Sequence, residues 1–255
     1  MPESIERQSF KSTSGHVLSG ALIRPDGPVR AVALFAHCFT CSQSSHAATR
    51  VTNELARLGI AAMRFDFTGL GASEGDFGVR GFPGDVEDLM SAAAHLEATI
   101  GGPDLMIGHS FGGAAVITAA SQMPRVKAVA TIGAPSNTAH VLHNIQGDLD
   151  AILRTGSGEV RIGGRPFNIG ATFVKSTYEG RVLEAARQLR RPLLITHAPL
   201  DAIVGIENAR ELFDAALHPK SFLSLDHADH LLTSERDAQY AARMISTWAE
   251  RYLMG

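Results

Sequence analysis

Six short apolar runs recur along the chain: AVALFAH (31–37), AAMRFDF (61–67), DLMIGH (104–109), VKAVATIGAP (126–135), PLLITHAP (192–199) and SFLSLD (221–226). Between most of them lie stretches of helical periodicity, such as ATRVTNELARLG, GDVEDLMSAAAHLEATIG and GGAAVITAASQM. Apolar strands that lack polar alternation are buried on both faces. Alternating with amphipathic helices, they predict a mostly parallel sheet covered by helices on both sides. SIERQSFKS and HVLSGALIRP, joined around TSG, add an N-terminal hairpin, for eight strands in all. A final helix is expected over about 235–253.

A chain of 255 residues is within the range of one α/β domain, and 45% hydrophobic residues supply a core that needs no disulfide or metal staple. A single domain over 1–255 is expected. A formal charge of −3 with no basic run argues against a nucleic-acid partner. No apolar stretch approaches the roughly 20 residues that span a bilayer, and MPESIERQSF has no apolar signal core. The expectation is a cytoplasmic protein without a membrane or nucleic-acid partner; the sequence is silent on oligomeric state. One segment breaks the strand–helix rhythm. Residues 137–185 hold a small hairpin, GEVRIGGRPFNIG, between polar helical patches, and are read as a cap or lid inserted in the scaffold.

The densest chemistry lies in LMIGHSFGGAAVITAA (105–120). Gly108-His109-Ser110-Phe111-Gly112 is a G-x-S-x-G pattern with an apolar strand before it and a small-residue helix after it. That is the setting of a nucleophile elbow, whose strained serine needs small neighbours. The competing reading is a glycine-rich turn with an incidental serine. A serine hydroxyl needs an oriented base, and the expected chain order is Ser, then Asp or Glu, then His. Asp201 follows the strand PLLITHAP, and His230 follows SFLSLD, both at carboxyl ends of strands. His230 is preferred over His227 because ADHLL is read as opening the final helix. Asp226 and Asp229 are too near the base in sequence to orient it easily. FDFTGLGASEG (65–75) fails as a dinucleotide loop, because Glu74 stands at the third glycine position and no helix opens there. It is read as a tight loop at the sheet's edge, held by Asp66.

The only two cysteines form the C-x-x-C of AHCFTCS, after the third expected strand. In a scaffold of this kind that loop lends a backbone N–H to the oxyanion hole, so Phe39 and Phe111 are the expected donors, with His37 and Cys38 beside them. A redox pair at a helix start is the rival for Cys38 and Cys41. A zinc site from His37, Cys38, Cys41 and His46 would need four convergent ligands from one short loop. No metal or cofactor is expected.

AHCFTCS, MRFDFTGLGASEGDF, LMIGHSFGGAAV, VATIGAPS, IGGRPFNI, DAIVGIENA and HPKSFLSLDHADHLL together resemble the serine-hydrolase family often fused to a C-terminal OsmC-type peroxide-reductase domain. The resemblance covers nearly the whole chain. It implies an α/β-hydrolase fold, a Ser110–His230–Asp201 triad and esterase activity on a small-molecule ester. The chain ends at Gly255, where the fused members continue, so it is read as a stand-alone relative or a truncated chain. Cys38 stands where the commoner H-G-x-x-G loop has its first glycine. A positive φ there would cost of order 1 kcal/mol, so a conformation open to a side chain is expected. A thioesterase, lactonase or amidase would use the same machinery. A non-catalytic thiol sensor or binding module built on Cys38 and Cys41 is the alternative from another class.

Overall fold

The structure, a computed structural model, describes residues 4–253; residues 1–3 and 254–255 at the two ends of the expected domain lie outside it. In chain order the strands are β1 (Ile5–Lys11), β2 (Val17–Ile23), β3 (Ala31–Ala36), β4 (Ile60–Phe65), β5 (Leu105–His109), β6 (Ala128–Ile132), β7 (Ile145–Gln146), β8 (Ser157–Ile162), β9 (Arg165–Gly170), β10 (Leu193–His197) and β11 (Lys220–Ser224). The helices are α1 (His46–Arg57), α2 (Phe77–Ile100), α3 (Phe111–Ala120), α4 (Leu149–Thr155), α5 (Ala171–Glu179), α6 (Val182–Gln188), α7 (Glu207–Ala215) and α8 (Glu235–Leu253).

Eight strands form the main sheet in the order β1-β2-β4-β3-β5-β6-β10-β11. The hairpin joins it antiparallel through β2 and β4, and the remaining pairs are parallel. This is the α/β-hydrolase architecture. Strands β3, β4, β5, β6 and β10 are buried at every residue, which explains why they read as unbroken apolar runs. Alternate residues of one strand serve opposite layers. Leu34 joins the cluster under α2 and α3, while its neighbour Phe35 joins Val51, Leu55 and Ile245 under α1 and α8.

Local chemistry sets the helix ends. The Ser45 hydroxyl accepts from the Ala48 amide at the start of α1, and the Asp76 carboxylate accepts from Gly78 at the start of α2. Helix α2 begins earlier than GDVEDLM suggests, because it is broken at Gly81 (φ 60°) just before Pro83. Two positions differ from expectation. Helix α8 covers the expected 235–253, but ADHLL does not open it; Leu232 takes φ 51°, and Asp229 accepts from the Thr233 amide to close a separate turn. The FDFTGLGASEG loop leaves an interior strand, not an edge. There the Asp66 carboxylate accepts from the amides of Gln43 and Ala72 and ties two loops together.

Between β6 and β10 the chain leaves the main sheet. A 3-10 turn (Thr138–Asn144) leads into a second antiparallel sheet, β7-β8-β9, with α4 and α5 against it, while α6 packs on α3 and α7. The β8–β9 turn is Gly163-Gly164, both at positive φ. The third strand, β7, is two residues long, too short for its own pattern. Among the described residues no helix is long and apolar enough to cross a membrane.

Candidate active site

The carboxyl ends of β3, β5, β6, β10 and β11 meet on one side of the sheet, and the loops leaving them bring the predicted residues together. Ser110 joins β5 to α3 at φ 55°, ψ −125°, a strained conformation for a residue with a Cβ. The two pattern glycines allow it. A Cβ on Gly108 would lie 2.2 Å from the Gly112 carbonyl oxygen, and one on Gly112 would lie 2.4 Å from that of His37. The turn is pinned by the Ser110 amide donating to the Ile132 carbonyl at 2.8 Å.

His230 lies in the turn between β11 and α8. Its Nε2 is 2.9 Å from Ser110 Oγ and its Nδ1 2.7 Å from Asp201 Oδ2. Asp201, in the turn after β10, also accepts from the amides of Ile203 and Val204 at Oδ1, each at 2.9 Å. Burial alone would raise the Asp201 carboxyl. The hydrogen bonds from His230, Val204 and Ile203, with the charge of His230, outweigh it and bring the group below the usual carboxylate range. All three side chains are at least nine-tenths buried. Gly133 (φ 58°) ends β6 beneath them, where a Cβ would approach Asp201 Oδ2 at 3.3 Å and His230 Nδ1 at 3.4 Å. The alternatives weighed from sequence lie elsewhere. His227 is exposed, and Asp226 and Asp229 bond to Ser224 and Thr233.

Phe111 is the first residue of α3, so its N–H stands at the positive end of the helix. Phe39 follows β3 and faces the same site. Among the described residues neither amide donates to a backbone carbonyl, and the two rings pack at 5.3 Å. Cys38 and Cys41 are joined in a disulfide, Cα to Cα 5.3 Å, which closes a loop around Phe39 and Thr40. A sulfur so bonded is no thiolate ligand. Cys38 itself has no positive φ; Thr40 does, at 56°. Outside the ring, the Arg165 guanidinium of β9 donates to the Thr40 carbonyl.

Three further histidines surround these groups, and one of them, His197, the sequence reading missed. His37 Nδ1 bonds the Cys38 carbonyl (2.9 Å), His109 Nε2 the His230 carbonyl (2.6 Å) and His197 Nε2 the Val204 carbonyl (2.8 Å). The other ring nitrogen of each is buried without a hydrogen-bond partner. A neutral imidazole with its one proton on the bonded nitrogen fits each position. Burial holds His37 below its ordinary value. For His109, burial together with the charge of His230 takes it from 6.5 to about 4. Nothing in the sequence around His197 marks it, since PLLITHAP reads as a strand end.

A cavity of about 190 Å³ opens over Ser110 and His230. Its walls are mainly apolar: Phe39, Pro135, Val141, Ile162, Ile203 and Leu231. Val141 and Ile162 come from the segment between β6 and β10. A larger hollow of about 520 Å³ lies beside β11 and the start of α8, but none of Ser110, Asp201 and His230 lines it. Size alone therefore does not mark the site. The smaller cavity is where convergent polar groups meet apolar walls.

The family described as Serine aminopeptidase, S33 matches residues 27–155. The esterase domain of a Rhodothermus marinus protein is 46% identical, with 98% of this chain and 99% of that one aligned at a TM-score of 0.81. The palmitoyl-protein thioesterase ABHD10, mitochondrial, of Rattus norvegicus is 25% identical over 189 residues, 71% of this chain. The match spans 62% of that relative's length. The mouse α/β hydrolase domain-containing protein 10 shares the fold at 20% identity and a TM-score of 0.77, over 96% of this chain and 99% of its own.

Proposed function

The chain belongs to the Serine aminopeptidase, S33 family of α/β-hydrolases, and from that premise we propose that it cleaves carboxylic esters through a Ser110–His230–Asp201 triad. The observation that carries this reading is the continuous chain of short contacts, Ser110 Oγ to His230 Nε2 at 2.9 Å and His230 Nδ1 to Asp201 Oδ2 at 2.7 Å.

The chemistry follows from the donors and acceptors. Ser110 Oγ attacks the carbonyl carbon as its proton passes to His230 Nε2. The carbonyl oxygen becomes an oxyanion facing the N–H groups of Phe39 and Phe111. Preorganised donors at that point are worth about 100- to 1,000-fold in rate for each one. Asp201 accepts from Nδ1–H and stabilises the imidazolium. His230 Nε2–H then protonates the departing alkoxide, leaving an acyl-Ser110 ester. Water, losing its proton to His230, attacks that ester and releases the acid. The apolar walls take the acyl group, and the segment 137–185 acts as the cap through Val141 and Ile162.

A thioester is the second reading, favoured by the likeness to a protein named as a thioesterase. The test is turnover of an ester, a thioester and an anilide that share one short acyl group. The ester should be cleaved and the anilide left. Preference for the thioester would move the assignment to the second reading, and cleavage of the anilide alone would overturn both.

A further inference from the structure

His109 carries a role beyond filling the elbow pattern. It is the last residue of β5 and stands directly before Ser110, so its backbone is rigidly tied to the nucleophile. Its side chain, 1% exposed, reaches in the other direction. Nε2 lies 2.6 Å from the backbone carbonyl oxygen of His230, and the two rings sit 5.3 Å apart, tilted by 41°. One side chain thus bridges the two residues whose separation decides proton transfer.

The base needs such a tie. His230 lies on no strand or helix but in the ten-residue connection between β11 and α8, next to Leu232 at positive φ. The rest of that connection is tied on either side of His230: the Leu225 amide donates to the His197 carbonyl, Arg50 donates to the carbonyls of Leu232 and Thr233, and Asp229 accepts from Thr233. At the His230 backbone carbonyl itself, among the described residues, the hydrogen-bond partner is His109. A carbonyl buried there without a donor would also be costly. Since Nδ1 of His109 has no partner, the ring has one bond to give and gives it to the base.

We propose that His109 is a positioning residue, which sets the His230 imidazole against Ser110 by donating its Nε2–H to the His230 carbonyl. The proposal rests on the triad reading above. Displacing a reacting group by about 1 Å costs on the order of 100-fold, so loss of the bond lowers kcat while leaving the apolar substrate walls, and therefore KM, in place.

Two amide variants test it. In His109→Gln the side-chain N–H₂ extends about as far as Nε2 and can donate to the same carbonyl; in His109→Asn the chemically equal group is one methylene too short. His109→Asn should lose about ten- to a hundredfold in kcat with KM within about twofold, and His109→Gln should recover most of the loss. Labelling of Ser110 by a fluorophosphonate should follow the same order. Equal kcat in His109→Asn and the unaltered protein overturns the proposal, as does a folded His109→Gln no better than His109→Asn. Ser110→Ala, assayed alongside, separates the two levels. If it keeps turnover, the triad reading fails and this proposal with it; if it is inactive while His109→Asn matches the unaltered protein, only the positioning role fails.

Discussion

His230 Nδ1 and Asp201 Oδ2 stand 2.7 Å apart across 29 residues of chain, each in a turn that follows one of two neighbouring parallel strands, β11 and β10. Asp201 is held from its other side by the amides of Ile203 and Val204, and the Val204 carbonyl in turn accepts from His197. The carboxylate is therefore fixed before it meets the imidazole. That order matters for what each substitution does.

Asp201→Asn keeps the shape but replaces an acceptor that favours Nδ1–H by an amide whose N–H₂ can turn the imidazole to the wrong tautomer. The expected loss in kcat is about a thousandfold or more. The melting temperature should stay within a few degrees, since the amide oxygen still accepts from Ile203 and Val204. A pair of measurements, kcat on a short-chain p-nitrophenyl ester and a thermal melt, checks it. Activity within tenfold of the unaltered protein would remove Asp201 from the triad.

The Cys38–Cys41 disulfide encloses Phe39, whose N–H is one of the two oxyanion donors of the proposed mechanism. Reduction opens that ring and leaves Thr40 held by Arg165 from outside. A loosened donor should cost less than a deleted one, so kcat is expected to fall about tenfold under full reduction by a dithiol and to return on reoxidation. Cys38→Ser with Cys41→Ser should show the lowered rate and no response to dithiol. Unchanged kcat, with both thiols titrated as free, would sever the disulfide from catalysis.

Acid should destabilise the fold in a defined window. Below its ordinary 6.5 the His109 imidazole takes up a proton in the unfolded chain, while in the folded protein it does so only near 4. The unfolded state therefore binds more protons between those values, and stability falls as pH drops through them. At about 1.4 kcal/mol per unit the loss from this group is about 3 kcal/mol. His37, also lowered by burial, adds in the same direction. Asp201, held low, contributes stability that is lost only further down, as pH falls below the ordinary carboxylate range. Urea midpoints from pH 7 to pH 4 should decline, and His109→Gln should flatten the slope. An equal slope in both proteins would contradict the assignment.

Much of this was legible in the sequence. Five of the six apolar runs became β3, β4, β5, β6 and β10 because strands buried on both faces leave no place for polar alternation; the sixth became the part-exposed edge strand β11. Gly108 and Gly112 were legible for a steric reason, since no side chain fits where their backbones touch. What stayed hidden depends on distance in space. His197 looks like any strand-end residue until the turn behind it brings the Val204 carbonyl within 2.8 Å. ADHLL was read as opening α8 because it has helical residues, whereas Leu232 at φ 51° forbids a helix from running through it. The pairing of Cys38 with Cys41 was one of several options that a C-x-x-C spacing leaves open.

Covalent modification of the nucleophile tests the central claim most directly. A fluorophosphonate probe, followed by peptide mass analysis, should label Ser110 at one equivalent per chain, with ester turnover lost in proportion, and Ser110→Ala should neither label nor turn over ester. Turnover that survives Ser110→Ala, or inactivation with the probe on another residue, would contradict it.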